Sequence, residues 1–128
     1  MAMFMVLDPK QYDVIVSNNL FGDILTDLGA GIQGGLGLSA SANIHPGRVS
    51  LFEPVHGSAP ALAGRGVANP IGSILTAGMM LEYLGFKEAA DAVDAAVRAA
   101  VADGQTTSDL GGSLTTSQAG AAIHERIQ

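Results

Sequence analysis

The sequence predicts an α/β fold, from three observations. Short runs rich in β-branched residues, the first being "YDVIVS" (12–17), alternate with longer segments of helical period. Those longer segments keep their apolar residues on one face, at the 3.6-residue repeat of a helix. Glycine, seventeen in all, gathers at 29–37, 57–66 and 111–112, where backbone must turn tightly or approach something closely.

The elements follow in order. Residues 1–7 read as the end of a helix, closed by Asp8-Pro9. Tyr12 to Ser17 reads as a buried strand. "SNN" offers a serine or asparagine cap for a helix over 21–33. With Asp23 as zero, Ile24, Leu25, Leu28 and Ile32 fall between about 100° and 200° around that helix. Asp23 and Asp27 are left stacked one turn apart on the other face. After the "GGLG" break, "LSASANI" and "RVSLFEP" read as two short strands joined by the turn "HPG" at 45–47. Residues 56–70 form a loop of small side chains. Ile71 to Leu84 is a helix opened by Asn69-Pro70 and stopped by Gly85. Lys87 to Ala102 is a second, with Ala90, Val93, Val97 and Val101 on its apolar face. A polar loop, "DGQTTSDLGGSLTTSQ", leads to a closing helix over 117–127. The glycines at 34–37 are the candidate hinge between two lobes.

Composition narrows the function. The net charge is −6, with two lysines and four arginines, so no basic patch offers itself to nucleic acid. Cysteine is absent, which excludes disulfides, thiolate metal sites and cysteine nucleophiles. Residues 1–7 lack the basic start of a signal peptide, and no apolar run approaches a membrane span. The expectation is a cytoplasmic protein with neither nucleic-acid nor membrane partners. The chain opens inside an apolar pattern, and no basic residue near its acids is placed to grip an anion. It reads as part of a longer enzyme.

Two motifs carry chemistry. Like charges at i and i+4 repel, at a cost of about 0.2–0.5 kcal/mol when exposed, and a cation between Asp23 and Asp27 reverses that sign. Mg²⁺ or Mn²⁺ takes hard oxygens, often one or two carboxylates completed by water and substrate. A solvated helix face is the competing reading. The second motif is "EPVHGSAPALAGRGVANP". Gly57, Ser58, Ala59, Gly64 and Gly66 leave backbone N–H groups uncovered, as in concavities that bind phosphate or nucleotide. His56 can stack on or bond to a base, and Asn69 can donate and accept at a base edge. It is neither a GxGxxG fingerprint nor a P-loop, and a structural loop competes with it. His45 and His124 read as surface residues, Tyr12 and Tyr83 as packing residues.

Taken together, "NLFGDILTDLGAGIQGGLG" and "FEPVHGSAPALAGRGVANPIGSILTAGMMLEYLG" resemble the β-decarboxylating dehydrogenases. That family holds the 3-isopropylmalate, isocitrate, homoisocitrate and tartrate dehydrogenases. The closing "TTSDLGGSLTTSQAGAAI" is most similar to the 3-isopropylmalate branch, which serves leucine biosynthesis. The resemblance spans essentially the whole chain but only the C-terminal third or so of such an enzyme. It implies the C-terminal part of a two-domain α/β fold. Residues 1–33 would belong to the smaller, dimer-forming domain and 34–128 to the larger, cofactor-binding one. It further implies a homodimer paired through the 21–33 helix.

The resemblance also implies roles. Asp23 and Asp27 would serve Mg²⁺ or Mn²⁺, which holds the 2-hydroxyl and carboxylate of a small 2-hydroxy dicarboxylic acid. NAD takes the hydride, and the keto acid then loses CO₂ while the metal, as a Lewis acid, steadies the enolate. The adenosine loop would comprise His56, Gly57, Ser58, Ala59, Pro60, Ala61, Gly64 and Asn69. The family's catalytic tyrosine and lysine match nothing in this chain and are expected upstream, as is a third aspartate two residues before Met1. The chain alone is therefore expected to be inactive. At Ala61 the NAD-using members carry an aspartate for the ribose hydroxyls, and NADP-using members tend to carry a lysine. The alternatives are an isocitrate or tartrate dehydrogenase piece, or a non-catalytic helical module that dimerises.

Overall fold

A computed structural model describes residues 1–127. Helix α1 (Ala2–Leu7) ends at Asp8-Pro9, and a 3-10 turn covers Pro9–Gln11. The expected strand at 12–17 does not form. The segment is coil with a bend at Asp13, with Val14 82% and Val16 92% exposed, and it joins neither strand of the sheet. A β-branched run becomes a strand only where another strand takes its N–H and C=O groups, and none lies beside this one among the described residues.

Helix α2 (Asn19–Ile32) starts two residues earlier than expected, because Asn18 caps it by accepting the Phe21 N–H at 3.1 Å. It stops at Gly34 and Gly35, whose φ of 116° and 113° suit glycine alone. Met5 of α1 lies 3.7 Å from where a Cβ on Gly29 would stand, ordinary contact distance where the two helices meet.

Strands β1 (Ala40–Asn43) and β2 (Leu51–Pro54) form an antiparallel pair, with Ala40 opposite Pro54 and Asn43 opposite Leu51. The turn between them closes with Arg48 N–H on the His45 carbonyl at 3.0 Å and with Gly47 at φ 74°. Helix α3 (Ile71–Tyr83) lies against both the hairpin and helix α4 (Lys87–Ala102). Gly72 lets α3 close on the segment leading into β1, since a Cβ there would meet the Gly37 carbonyl oxygen at 3.0 Å and the Ser39 carbonyl oxygen at 3.4 Å. Tyr83 packs its ring 5.6 Å from that of Phe52, as a packing residue should.

The core is small. Ile71, Ala96, Val97, Ala100 and Ile123 form it, with Leu38, Ile74, Leu75 and Leu110 against its edge. On α4 the buried set includes Ala90, Val93 and Val97 as expected, but Val101 is 41% exposed. The inward row runs through Ala96 and Ala100 instead, which leaves Val101 at the edge of the buried face. Helix α5 (Thr116–His124) is shorter than expected and begins with a capping box, Thr115 with Gln118. His45 and His124 are exposed.

Candidate functional site

The 56–69 loop hangs between β2 and α3 and takes much of its shape from hydrogen bonds at its ends. Thr116, the first residue of α5, donates its N–H to the Gly66 carbonyl at 2.9 Å and its hydroxyl to the Ala68 carbonyl at 2.6 Å. Asn69 accepts the Ile71 N–H at 3.0 Å, fixing the entrance to α3. Within the loop, Ala59 adopts a left-handed backbone (φ 42°, ψ 63°) and opens a 3-10 turn over Pro60–Leu62. Leu62 N–H returns to the Ala59 carbonyl at 2.8 Å. A non-glycine residue in that region is strained, and such strain clusters where a ligand loop is held in shape.

The loop encloses a largely apolar pocket of ≈ 760 Å³. Six of the eight sequence-predicted nucleotide residues line it: His56, Gly57, Ser58, Ala59, Gly64 and Asn69. Pro60 and Ala61 do not, although their neighbours Ala59 and Leu62 do. The opposite wall comes from Leu36, Gly37, Asp109, Thr116 and Ser117, which sequence reasoning missed. Asp109 belongs to the "TTSDLGG" stretch, whose only visible signal was an acid and two glycines inside a polar loop.

Asn69 is less free than its amide suggests. Its oxygen is taken by Ile71 N–H, and its nitrogen donates to Asp109 Oδ2 at 2.9 Å. His56 Nδ1 lies 3.0 Å from the Gly57 carbonyl. A carbonyl only accepts, so the ring donates from Nδ1 and Nε2 is the nitrogen left open.

A second, polar cleft of ≈ 680 Å³ adjoins the first and shares His56 and Gly57 with it. Asn18, Asn19, Asp23 and Thr26 form its α2 side, and Ser41, Asn43 and Glu53 its hairpin side. Asp23 accepts a long hydrogen bond from Asn19 Nδ2 at 3.5 Å. Asp27, one turn on, is exposed and lies outside the lining. Glu53 is a carboxylate in this cleft that the sequence did not single out. No group of three or more His, Cys, Asp or Glu is placed to hold a metal among the described residues. Two hard carboxylates on one helix face fit the partial shell of Mg²⁺ or Mn²⁺, whose other ligands are usually water and substrate oxygens. No helix among the described residues is long and apolar enough to cross a membrane.

Comparison with known proteins shows the family. The family described as isocitrate/isopropylmalate dehydrogenase matches residues 1–123. The chain is 53% identical over 127 residues to an isocitrate/homoisocitrate dehydrogenase of Thermus thermophilus, covering 99% of this chain and 38% of that protein. It is 55% identical over 124 residues to a 3-isopropylmalate dehydrogenase of Caulobacter vibrioides, covering 95% and 35%. Among solved structures, an isocitrate dehydrogenase from Methylococcus capsulatus superposes with a TM-score of 0.92 at 49% identity, over 98% of this chain and 38% of that one. A β-decarboxylating dehydrogenase from Thermococcus kodakarensis gives 0.88 at 45% identity, over 98% and 37%. The chain thus spans little more than a third of the length of these relatives.

Proposed function

Since the chain belongs to the isocitrate/isopropylmalate dehydrogenase family, we propose that it supplies the nucleotide pocket and part of the metal site of a β-decarboxylating dehydrogenase. The reaction is the NAD-dependent oxidation and decarboxylation of a 2-hydroxy dicarboxylic acid, with 3-isopropylmalate as the substrate and leucine biosynthesis as its setting. The observation that carries this reading is the adjacency of the two clefts. One is apolar and sized for an adenosine, the other polar and edged by Asp23, and His56 and Gly57 belong to both.

This chain's residues divide the work. His56, Gly57, Ser58, Ala59, Gly64 and Asn69 wall the adenosine end of NAD, and the Nε2 of His56 is the acceptor left for it. Asp23 and Asp27 hold their share of Mg²⁺ or Mn²⁺, which when bound supplies Lewis acidity at the substrate's 2-hydroxyl and carboxylate. Residues 34–128 form part of the larger, cofactor-binding domain. Residues 1–33 form part of the smaller one, and the α2 face of Ile24, Leu25, Leu28 and Ile32 pairs with a second copy.

Titration calorimetry checks the pocket directly: the chain should bind NAD saturably, with 5′-AMP competing. Absence of both would remove the nucleotide reading. The same chain, given 3-isopropylmalate, Mn²⁺ and NAD, should form no NADH, because no tyrosine–lysine pair matching the family's is present to move protons. Turnover would overturn this division of labour.

A further inference from the structure

Three segments far apart in sequence converge at one point of the pocket wall: Gly37, Asn69 and Asp109. A Cβ on Gly37 would meet Asn69 Cβ and Asp109 Oδ2, each at 3.0 Å, so this glycine makes room for the other two to join. Asn69 Nδ2 donates to Asp109 Oδ2 at 2.9 Å, and Thr107, whose side chain is fully buried, donates its hydroxyl to Asp109 Oδ1. Next to it Leu110 packs against the core and Thr106 is buried. The carboxylate therefore sits on a stiff support.

We propose that Asp109 is the positioning residue of the nucleotide pocket, acting through Asn69. The proposal rests on the nucleotide reading above. An ionised carboxylate only accepts, and so does the Asn69 amide oxygen. With Ile71 N–H on one side of the amide and Asp109 on the other, only one orientation of Asn69 satisfies both. A flipped amide would turn its NH₂ on the Ile71 N–H and its oxygen on the carboxylate. Asp109 thereby locks Asn69, and with it the end of the 56–69 loop, to the wall formed by 106–116. Such a bond to a charged acceptor is among the stronger ones a protein makes.

The test uses the 128-residue chain, with 5′-AMP affinity read by titration calorimetry and folding by circular-dichroism melting. Affinity is compared at a temperature where every variant is fully folded. Asp109→Ala should weaken AMP about tenfold, because Asn69 loses the partner that fixes its amide and must be ordered on binding. Asp109→Asn can still accept from Asn69 while its NH₂ meets the Thr107 hydroxyl, so it should recover to within about threefold of the parent. Thr107→Val should weaken AMP as well, although Thr107 is not in the pocket lining. A purely structural role would lower the melting temperature and leave the affinity of the folded protein unchanged. Unchanged AMP affinity in folded Asp109→Ala would sink the proposal alone. If that variant does not fold, unchanged affinity in Thr107→Val does so. A parent chain that binds no AMP would remove the nucleotide reading together with it.

Discussion

Ala61 sits in the 3-10 turn at Pro60–Leu62, next to pocket-lining Leu62 and two residues after pocket-lining Ala59, but contributes nothing to the lining itself. An aspartate there reaches further than a methyl group and, on the nucleotide reading proposed above, would bring a carboxylate toward the ribose end. A hydrogen bond to a charged group is worth about 1.5–3 kcal/mol, and the same charge repels a 2′-phosphate. In a full-length enzyme of the family carrying this chain as its matching part, Ala61→Asp should raise kcat/KM for NAD and lower it for NADP. An unchanged ratio would show that position 61 faces elsewhere. Single residues were legible where local chemistry speaks for itself. His56, Gly57 and Asn69 announce a polar-edged loop of small side chains, and the pocket contains all three. Asp109 was not legible, because its contact with Asn69 spans forty residues and no periodicity links them. The same distance hid the commitment of the Asn69 amide, which had looked free to read a base.

Helix ends are the elements' weak points, and α5 shows how one end bears on the site. Its capping box satisfies the Gln118 N–H through the Thr115 hydroxyl and the Thr115 N–H through the Gln118 side chain. Thr115→Ala should cost about 1 kcal/mol, read as a lower denaturation midpoint at unchanged slope. Because the adjacent Thr116 holds the carbonyls of Gly66 and Ala68, fraying of this turn should also loosen the 66–69 end of the loop. A midpoint equal to the parent's would mean the box adds nothing. On α4, the Lys87 ammonium is held above its ordinary 10.5, first by its hydrogen bond to Asp91 and then by that residue's charge. Its contribution is thus full below that value and fades above it. Both partners are exposed, so it is slight. Helices were readable because caps and apolar period are local properties. The 12–17 segment misled because strand formation depends on a neighbour, which a β-branched run does not reveal.

At the scale of the molecule, apolar surface outruns what this chain buries. Along α2, Leu20, Phe21, Ile24 and Ile32 are 65%, 58%, 56% and 49% exposed, and on α1 Met3 is 60% exposed. A monomer seldom leaves so many large apolar groups on two touching helices in water. If α2 pairs with a second copy, sedimentation should find a concentration-dependent dimer, and Ile24→Asp should return a monomer with unchanged helix content. A parent that stays monomeric at high concentration would refute the pairing. The two clefts carry a different consequence. His56 and Gly57 form a party wall, and whatever orders that wall from one side spends less conformational freedom for an occupant on the other. If a nucleotide and a cation occupy the two clefts as proposed, linkage makes this reciprocal: any factor by which one changes the other's affinity acts equally in both directions. The histidine's Nδ1–H is pinned to the Gly57 carbonyl, so an occupant of either cleft that turns the ring would have to break that bond.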